Sequence, residues 1–276
     1  MRGQTSLSES EQQRRDRERQ EDLAKLRGLR PIDDDFMRCI FRDNEPLAQL
    51  VLRIVLQKDD LIVEDVETQA DLHGLSGARS IALDVLATDS DKKKYDIEIQ
   101  RSDRGASKRR ARYHSSAMDV DNLKKAYEFE SLPESYVIFI TENDQYGDEK
   151  PFHRIERVDL DSDGNQLFND GEHILYVNGA YRGDSDIGKL MHDFSCWNPD
   201  DMNYDLLREA TRFYKENPKG VEIVCKAFED TRDKAREQTL LDSIKALMDN
   251  LKLSAKQAME ALNIPLSEQE KFASKL

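Results

Sequence analysis

The sequence contains little of what secreted, membrane-spanning and zinc-knuckle proteins are built from. Its 276 residues include three cysteines, Cys39, Cys196 and Cys225. Because they are odd in number and far apart, they exclude a CxxC metal knuckle and argue against a disulfide framework. The chain also lacks an apolar run of about 18 residues and a signal-like leader, so we expect a soluble, cytoplasmic protein without a membrane partner.

Positive charge is in deficit, with 42 lysines and arginines against 56 acidic residues and a net charge of -14. Such a chain repels polyanions at long range, so any contact with nucleic acid must come from a local basic patch. One patch begins directly after Gln100, and Asp103 is the one acid within it. Its members are Arg101, Arg104, Lys108, Arg109, Arg110 and Arg112.

Several common catalytic signatures are missing as well. The five histidines form no HExxH or HxxxH group, there is no glycine-rich phosphate loop, and no serine lies in GxSxG. The acidic residues are therefore better candidates for a catalytic role than the histidines or serines.

The most informative stretch is a predicted β-hairpin. Residues 81–88 and 94–100 alternate or are β-branched, and the charged residues 89–93 have the composition of a turn. If the loop holds an odd number of residues centred on Asp91, Asp84 and Glu98 lie directly opposite each other. An even number would instead place Asp84 opposite an isoleucine.

Two acids that face each other across a hairpin need compensation, because like charges directly opposite are destabilising. A divalent cation provides it, since Mg²⁺ binds through one or two carboxylates together with substrate phosphate oxygens. The alternative is an ordinary solvated hairpin face in a chain that is rich in acids.

A helix is predicted to begin near residues 30–35, with helical apolar spacing continuing to about Leu56. Its acids either cap the helix or serve a function. Residues 62–66 are predicted to form a short strand, and residues 73–77 are predicted to form the loop that leads into the hairpin.

A second helix is predicted from Ser107 to about Tyr127, because the segment contains neither proline nor glycine. Arg109, Arg112 and Tyr113 share one face with Ser116. A basic, hydroxyl-bearing face beside an acidic pair suits a phosphate backbone, although it could also be a solvated face paired with acids.

The remaining segments complete an α/β pattern. Residues 136–141 have the continuous apolar character of a strand covered on both faces, and strands are predicted near 152–158 and 174–177. From residue 187 the pattern is helical. Residues 253–265 suit either half of a helix-turn-helix or, as we favour, a packing or dimerisation appendage, so a homodimer is one expected partner.

Five stretches carry a family resemblance. They are DDFMRCIF at 34–41, LDV at 83–85, IEIQ at 97–100, RARYHS at 110–115 and VIFI at 137–140. Together with the predicted order of helices and strands, they resemble the PD-(D/E)xK nuclease superfamily. The closer resemblance is to the branch called PD-(D/E)xK nuclease family transposases, which is related to the Rpn recombination-promoting nucleases. GKLMHDF at 188–194 and the helices beyond it also resemble this family, so the resemblance extends over about residues 29–270.

The resemblance implies Asp84 and Glu98 as ligands of Mg²⁺, with Mn²⁺ as an alternative. It places Gln100 at the position of the superfamily's lysine and Asp34 as a helper carboxylate, with Glu45 as a weaker candidate. The residues implied to bind the DNA backbone are Lys108, Arg109, Arg112 and Tyr113. Because Gln100 is an amide, it can orient a water molecule but cannot act as a cation, so the metal must supply most of the activation.

The expected fold is an α/β domain with a restriction-endonuclease-like mixed sheet flanked by helices and followed by a helical C-terminal part. We expect a charged leader at 1–28, a nuclease-like domain at 29–200 and a helical appendage at 201–276. The expected activity is Mg²⁺-dependent DNA endonuclease activity, linked to recombination or mobile elements. Two alternatives are a catalytically silent relative that binds DNA or a protein, and an acidic interaction scaffold.

Overall fold

A computed structural model describes residues 9–72, 81–101, 105–123 and 127–276. The helices are α1 (Glu9–Gly28), α2 (Asp34–Phe41), α3 (Glu45–Leu56), α4 (Lys108–Asn122), α5 (Asp186–Ser195), α6 (Asp205–Glu216), α7 (Pro218–Leu251), α8 (Ala255–Ala261) and α9 (Leu266–Ala273). The strands are β1 (Val63–Leu72), β2 (Ile81–Asp89), β3 (Lys94–Gln100), β4 (Ser135–Thr141), β5 (Phe152–Ile155) and β6 (Glu172–Asn178). Outside the described residues lie 1–8 of the predicted leader, the predicted loop at 73–77, Asp103 and Arg104 of the basic patch, and 124–126 of the predicted second helix.

The described strands form one mixed sheet in the order β1-β2-β3-β4-β6-β5. β1, β2 and β3 pair antiparallel, β3, β4 and β6 pair parallel, and β5 closes the far edge antiparallel to β6. A parallel β3–β4 pair requires a crossover, and α4 lies in that connection. Every residue of β4 is buried, as expected for a strand covered on both faces. The predicted mixed-sheet α/β class with a helical C-terminal region is confirmed.

The central hairpin has the odd-numbered parity. Val85 pairs with Ile97 and Thr88 with Lys94, which centres the turn on Asp91. The Asp89 carboxylate holds this turn by accepting the backbone N–H groups of Asp91 and Lys93, each at 2.9 Å. The predicted odd parity is therefore confirmed, and continuing the register by one step would place Asp84 opposite Glu98, whose Oε1 accepts the Asp84 N–H at 3.0 Å.

The helical spacing predicted to about Leu56 covers two helices rather than one, because the backbone leaves the helical conformation between α2 and α3. Asp43 has a left-handed φ of 51°, and Asn44 caps α3 by accepting the Leu47 N–H at 3.2 Å. Pro46 follows in the first turn of α3, where its missing N–H has no cost. The sequence Asn44-Glu45-Pro46 therefore carries a helix-start signal that apolar spacing alone overlooks.

Two other boundaries also differ from the prediction. β1 extends to Leu72, beyond the expected short strand at 62–66. α4 ends at Asn122 rather than near Tyr127, and Ser107 caps its start by accepting the Arg110 N–H at 3.2 Å. α4 nevertheless includes all four residues expected to contact DNA.

The chain divides into two compact units, with the first ending at Val224 and the second comprising Cys225–Leu276. The second unit has a core that includes Leu241, Ile244, Met259 and Phe272. The three-part division expected from the sequence, with boundaries after residues 28 and 200, stays a prediction. In the described part of the chain, no helix has both the length and the apolar character needed to cross a membrane.

Candidate active site and metal centre

The candidate site lies where β2 and β3 stop pairing through their backbones. Beyond the Val85–Ile97 pair, side chains take over the hydrogen bonding. The Asp84 N–H donates to Glu98 Oε1 at 3.0 Å, and the Ile99 N–H donates to Asp84 Oδ2 at 3.3 Å. Each predicted metal ligand is therefore held by the opposite strand.

A second acid and a histidine lie next to Glu98. Asp96 precedes Glu98 by two residues on the same face of β3, and both side chains are 0% exposed. His114, on α4, places Nδ1 2.8 Å from Asp96 Oδ2 and 3.8 Å from Glu98 Oε1. Asp96, Glu98 and His114 each offer a ligand atom within 4.8 Å of the others, so the group could hold a metal ion.

Arg110 connects this cluster to Gln100. Its NH2 donates to Glu98 Oε2 at 2.7 Å, and its NH1 donates to Gln100 Oε1 at 3.2 Å. The Gln100 amide in turn donates to Glu98 Oε2 at 3.3 Å. Gln100, which the sequence resemblance placed at the superfamily's lysine position, is thus oriented by both an arginine and the predicted ligand Glu98.

Two charged residues of α2 lie close enough to Asp84 to act on its carboxylate. Arg38 NH2 is 3.9 Å from Asp84 Oδ1, and the negative charge of Asp34 contributes to a raised pKa of Asp84. Asp34 itself is exposed. Glu45, the weaker candidate for a helper carboxylate, is the first residue of α3. The described charges that act on Asp84 from this part of the chain are those of Arg38 and Asp34, and both belong to α2.

Burial controls the electrostatics of the cluster. It raises the pKa of Glu98 to about 8, with repulsion from Asp96 and Asp84 adding to the effect. Burial is also the largest cause of the raised pKa of Asp84, of the strongly raised pKa of Asp96 and of the lowered pKa of His114. The charged forms of all these groups are poorly solvated.

The cluster has the composition that a divalent cation requires. Among the described residues, three carboxyl groups lie near two close guanidinium groups, those of Arg38 and Arg110. Asp96 Oδ1 is buried and has no hydrogen-bond partner among the described residues. Carboxylate oxygens with excess negative charge favour hard cations, so the residues present fit Mg²⁺ or Mn²⁺.

The hydrogen bonds also define the state of His114. Arg110 Nε donates to His114 Nε2 at 3.1 Å, and an arginine nitrogen can only donate. A neutral imidazole then carries its proton on Nδ1, which donates to Asp96. In this tautomer His114 has no lone pair left for a metal, which favours the carboxylates as ligands.

The predicted DNA-binding residues separate into two groups on α4. Arg109 and Tyr113 line a cavity of about 590 Å³ together with Arg110 and His114. Arg112 instead lines a separate depression that contains Glu156 and Glu172, and Lys108 lies over the Tyr146 ring with its Nζ 5.7 Å from the centroid. Within the described residues, Arg109 and Tyr113 are therefore the predicted DNA contacts that share a cavity with the cluster.

Sequence reasoning missed three residues of the cluster as site residues: Asp96, Arg110 and His114. Asp96 carried a signal, because it shares the Glu98 face at a spacing of two. Arg110 and His114 lie four apart on a predicted helix, so their shared face was readable. The sequence did not show that this face contacts β3, because that contact depends on the crossover connection.

A mixed sheet with an aspartate and a glutamate on adjacent strands, beside a basic crossover helix, is the architecture of a PD-(D/E)XK nuclease. The family model described as "PD-(D/E)XK nuclease family transposase" matches residues 42–180, and the chain belongs to this family. Asp84, Glu98 and Gln100 lie inside the matched range, and α2 lies before it. Membership implies a hydrolase that acts on phosphodiester bonds, with DNA as substrate. Neither curated proteins nor solved structures provide a match to this chain.

Proposed function

We propose that this protein is a metal-dependent DNA endonuclease of the Rpn-like branch, linked to recombination or mobile elements. The observation that carries the proposal is the junction of β2 and β3, where Asp84 and Glu98 face each other and bond to the opposite strand. Cytoplasmic location and a homodimer stay predictions.

Asp84 and Glu98 would hold Mg²⁺ or Mn²⁺, and the ion would supply Lewis-acid activation of water and stabilise charge on the phosphate. This assignment uses the two carboxylates rather than His114, whose two ring nitrogens are engaged by Arg110 and Asp96. Asp34 is proposed as a helper carboxylate, because its charge acts on Asp84.

Gln100 orients the attacking water by hydrogen bonds. Its carbonyl oxygen accepts from Arg110 and its amide donates to Glu98, so one amide N–H and one carbonyl lone pair are left for a water molecule. Because an amide does not titrate, Gln100 positions this water and removes no proton.

The basic residues of α4 bind the DNA backbone. Arg109 and Tyr113 contact it in the cavity beside the cluster, and Lys108 and Arg112 contact it outside that cavity. Guanidinium groups pair with phosphate oxygens in two-point geometry, which fixes the strand without reading its sequence.

A silent DNA-binding relative is the second candidate. It is favoured by Arg110, whose cationic group already pairs with Glu98 Oε2 at 2.7 Å, and by the amide at the lysine position. Such a protein would bind DNA without a divalent metal and would be indifferent to Asp84→Asn.

The testing experiment is nicking of supercoiled plasmid with Mg²⁺ or Mn²⁺ by wild type, Asp84→Ala and Glu98→Ala, all confirmed as folded by circular dichroism. Asp91→Ala, in the exposed turn of the same hairpin, is the matched control. We expect metal-dependent nicking by wild type and Asp91→Ala and none by the other two. Folded wild type that binds DNA but never cuts would favour the silent candidate.

A further inference from the structure

The buried pair formed by Asp96 and His114 has no role in the proposed chemistry, although it is among the least exposed polar groups of the described chain. The Asp96 side chain is 0% exposed and that of His114 is 2% exposed. Burying an acid and an imidazole is costly unless their hydrogen bonds are specific. The direction of those bonds indicates what the pair does.

The bonds form a continuous chain from β3 through α4 and back to β3. Asp96 accepts from His114 Nδ1 at 2.8 Å, and His114 Nε2 accepts from Arg110 Nε at 3.1 Å. Arg110 then donates to Glu98 at 2.7 Å and to Gln100 at 3.2 Å. Every donor in this series of hydrogen bonds faces an acceptor, so a single assignment of protons satisfies all of the bonds.

Arg110 is the side chain that this series of hydrogen bonds holds in place. Its NH1 also donates to the Gly105 carbonyl at 3.2 Å, and its guanidinium lies over the Phe139 ring at 5.9 Å. The side chain is still 37% exposed and lines the cavity that contains Arg109 and Tyr113. Its inner atoms therefore bond to the acidic cluster while an outer edge faces the cavity.

We propose that Asp96 and His114 are positioning residues that hold Arg110 against Glu98 and Gln100. Asp96 fixes the histidine tautomer, the imidazole lone pair fixes Arg110 Nε, and the two terminal nitrogens of Arg110 orient the Glu98 carboxylate and the Gln100 amide. The consequence for catalysis rests on the proposed nuclease function, whereas the hydrogen-bonded arrangement does not. Outer hydrogen-bond partners of this kind typically contribute about 10- to 100-fold in metal affinity or activity.

The first test is independent of cleavage. Long-range ¹H–¹⁵N correlation spectra of histidine-labelled protein near neutral pH report which ring nitrogen of His114 carries the proton, and the His114→Gln variant assigns the signal. We expect protonated Nδ1 and unprotonated Nε2. A proton on Nε2, in either the other tautomer or an imidazolium, overturns the proposal because Arg110 would then have no acceptor.

The second test compares His114→Phe with His114→Gln. Phenylalanine keeps an aromatic ring beside Phe139, which lies 5.9 Å from His114, but removes the acceptor for Arg110. Glutamine keeps a carbonyl acceptor on a side chain of similar reach. We expect faster solvent exchange of the Arg110 Nε–H in His114→Phe and substantial recovery of protection in His114→Gln.

Cleavage by the same variants should follow the same order, with kcat falling by about 10- to 100-fold in His114→Phe and KM for DNA nearly unchanged. Tyr176→Phe is the matched control, because it removes a buried hydroxyl without a described hydrogen-bond partner from a ring that stacks on Phe139 with the centroids 5.5 Å apart. Wild-type exchange and kcat in folded His114→Phe would overturn the proposal. Normal NMR results with an inactive wild type would instead reject the nuclease function and leave the positioning of Arg110 intact.

Discussion

The backbone N–H of Asp84 donates a hydrogen bond to Glu98 Oε1 at 3.0 Å, so the two predicted metal ligands are coupled through the main chain as well as through charge. The reciprocal bond from the Ile99 N–H to Asp84 Oδ2 ties the pair from the other side. A carboxylate that satisfies a backbone donor cannot be moved without leaving that donor unpaired. Both acids are therefore held in place before any cation binds.

Asp84→Asn is expected to stabilise the metal-free protein while removing its response to metal. The amide retains a carbonyl acceptor for the Ile99 N–H, but one negative charge leaves a cluster with an excess of acids. Relief of such functional strain typically yields about 0.5–2 kcal/mol. We expect Tm to rise by a few degrees in scanning fluorimetry, about 2–4 °C per kcal/mol for a domain of this size.

Asp91→Asn is the control for this substitution, because it makes the same chemical change in the exposed turn of the same hairpin. It should leave both Tm and the metal-induced shift near their wild-type values. If Asp84→Asn kept a full metal-induced shift, Asp84 would not be a ligand.

The stability of the metal-free protein is expected to fall as pH rises from 6.5 to about 8. Burial raises the pKa of Glu98 from 4.5 to about 8, so the folded state binds this proton more tightly than the unfolded state. Stability is then lost as pH rises between these values, by up to about 1.4 kcal/mol per pH unit for one proton. His114 has the opposite effect, since its lowered pKa costs stability below 6.5.

Divalent metal should reverse this pH trend. A cation bound by Asp84 and Glu98 competes with protons, so the Tm increase produced by Mg²⁺ or Mn²⁺ should be larger near pH 8 than near pH 6.5. Thermal denaturation at several pH values, with metal or with chelator, measures the difference. An equal metal-induced shift at both ends of this range would argue against carboxylates that are protonated in the metal-free protein.

The hairpin was predictable from sequence because its signals are local. Alternation of side chains identifies both strands, and the charged turn between them leaves two strand registers, one with an odd-numbered loop and one with an even-numbered loop. β4 was equally readable, because an unbroken apolar run is typical of a strand covered on both faces. These local features left two possible registers for Asp84, and the structure has the one that is centred on Asp91.

The rest of the cluster depends on contacts that no local pattern contains. His114 lies eighteen positions after Asp96, and the two meet only because α4 crosses back over β3. The break before α3 was overlooked for another reason, since apolar spacing continued across it while Asn44 and Pro46 indicated a new helix. Arg101 likewise belongs to the basic patch in sequence, yet the fold pairs it with Asp33 and Glu142.

Arg109→Ala is expected to weaken DNA binding by a similar factor for all sequences. Arg109 is exposed on α4 and lines the cavity beside the cluster, where a phosphate contact carries no base information. The slope of log K against log salt should fall by about 1. Fluorescence anisotropy with two unrelated duplexes over a salt series measures both effects.

Arg212→Ala provides the matched control, because it removes an arginine of α6 that pairs with Asp200 and Glu216. It produces the same change in net charge at a different place. Equal losses of affinity in the two variants would show that Arg109 acts through net charge rather than through a contact.

Asn44→Ala is expected to destabilise the first unit through the junction of α2 and α3. The Asn44 side chain accepts the Leu47 N–H at 3.2 Å and donates to the Ile40 carbonyl at 2.9 Å, so it caps one helix and closes the other. Loss of such a cap costs about 0.5–2 kcal/mol, and the lost donor adds to it. Asn44→Asp keeps the acceptor and should recover most of the loss in urea unfolding. The junction matters for the site because α2 places Arg38 NH2 3.9 Å from Asp84 Oδ1. An Asn44→Ala variant that unfolds like wild type would show that this cap does not stabilise the site.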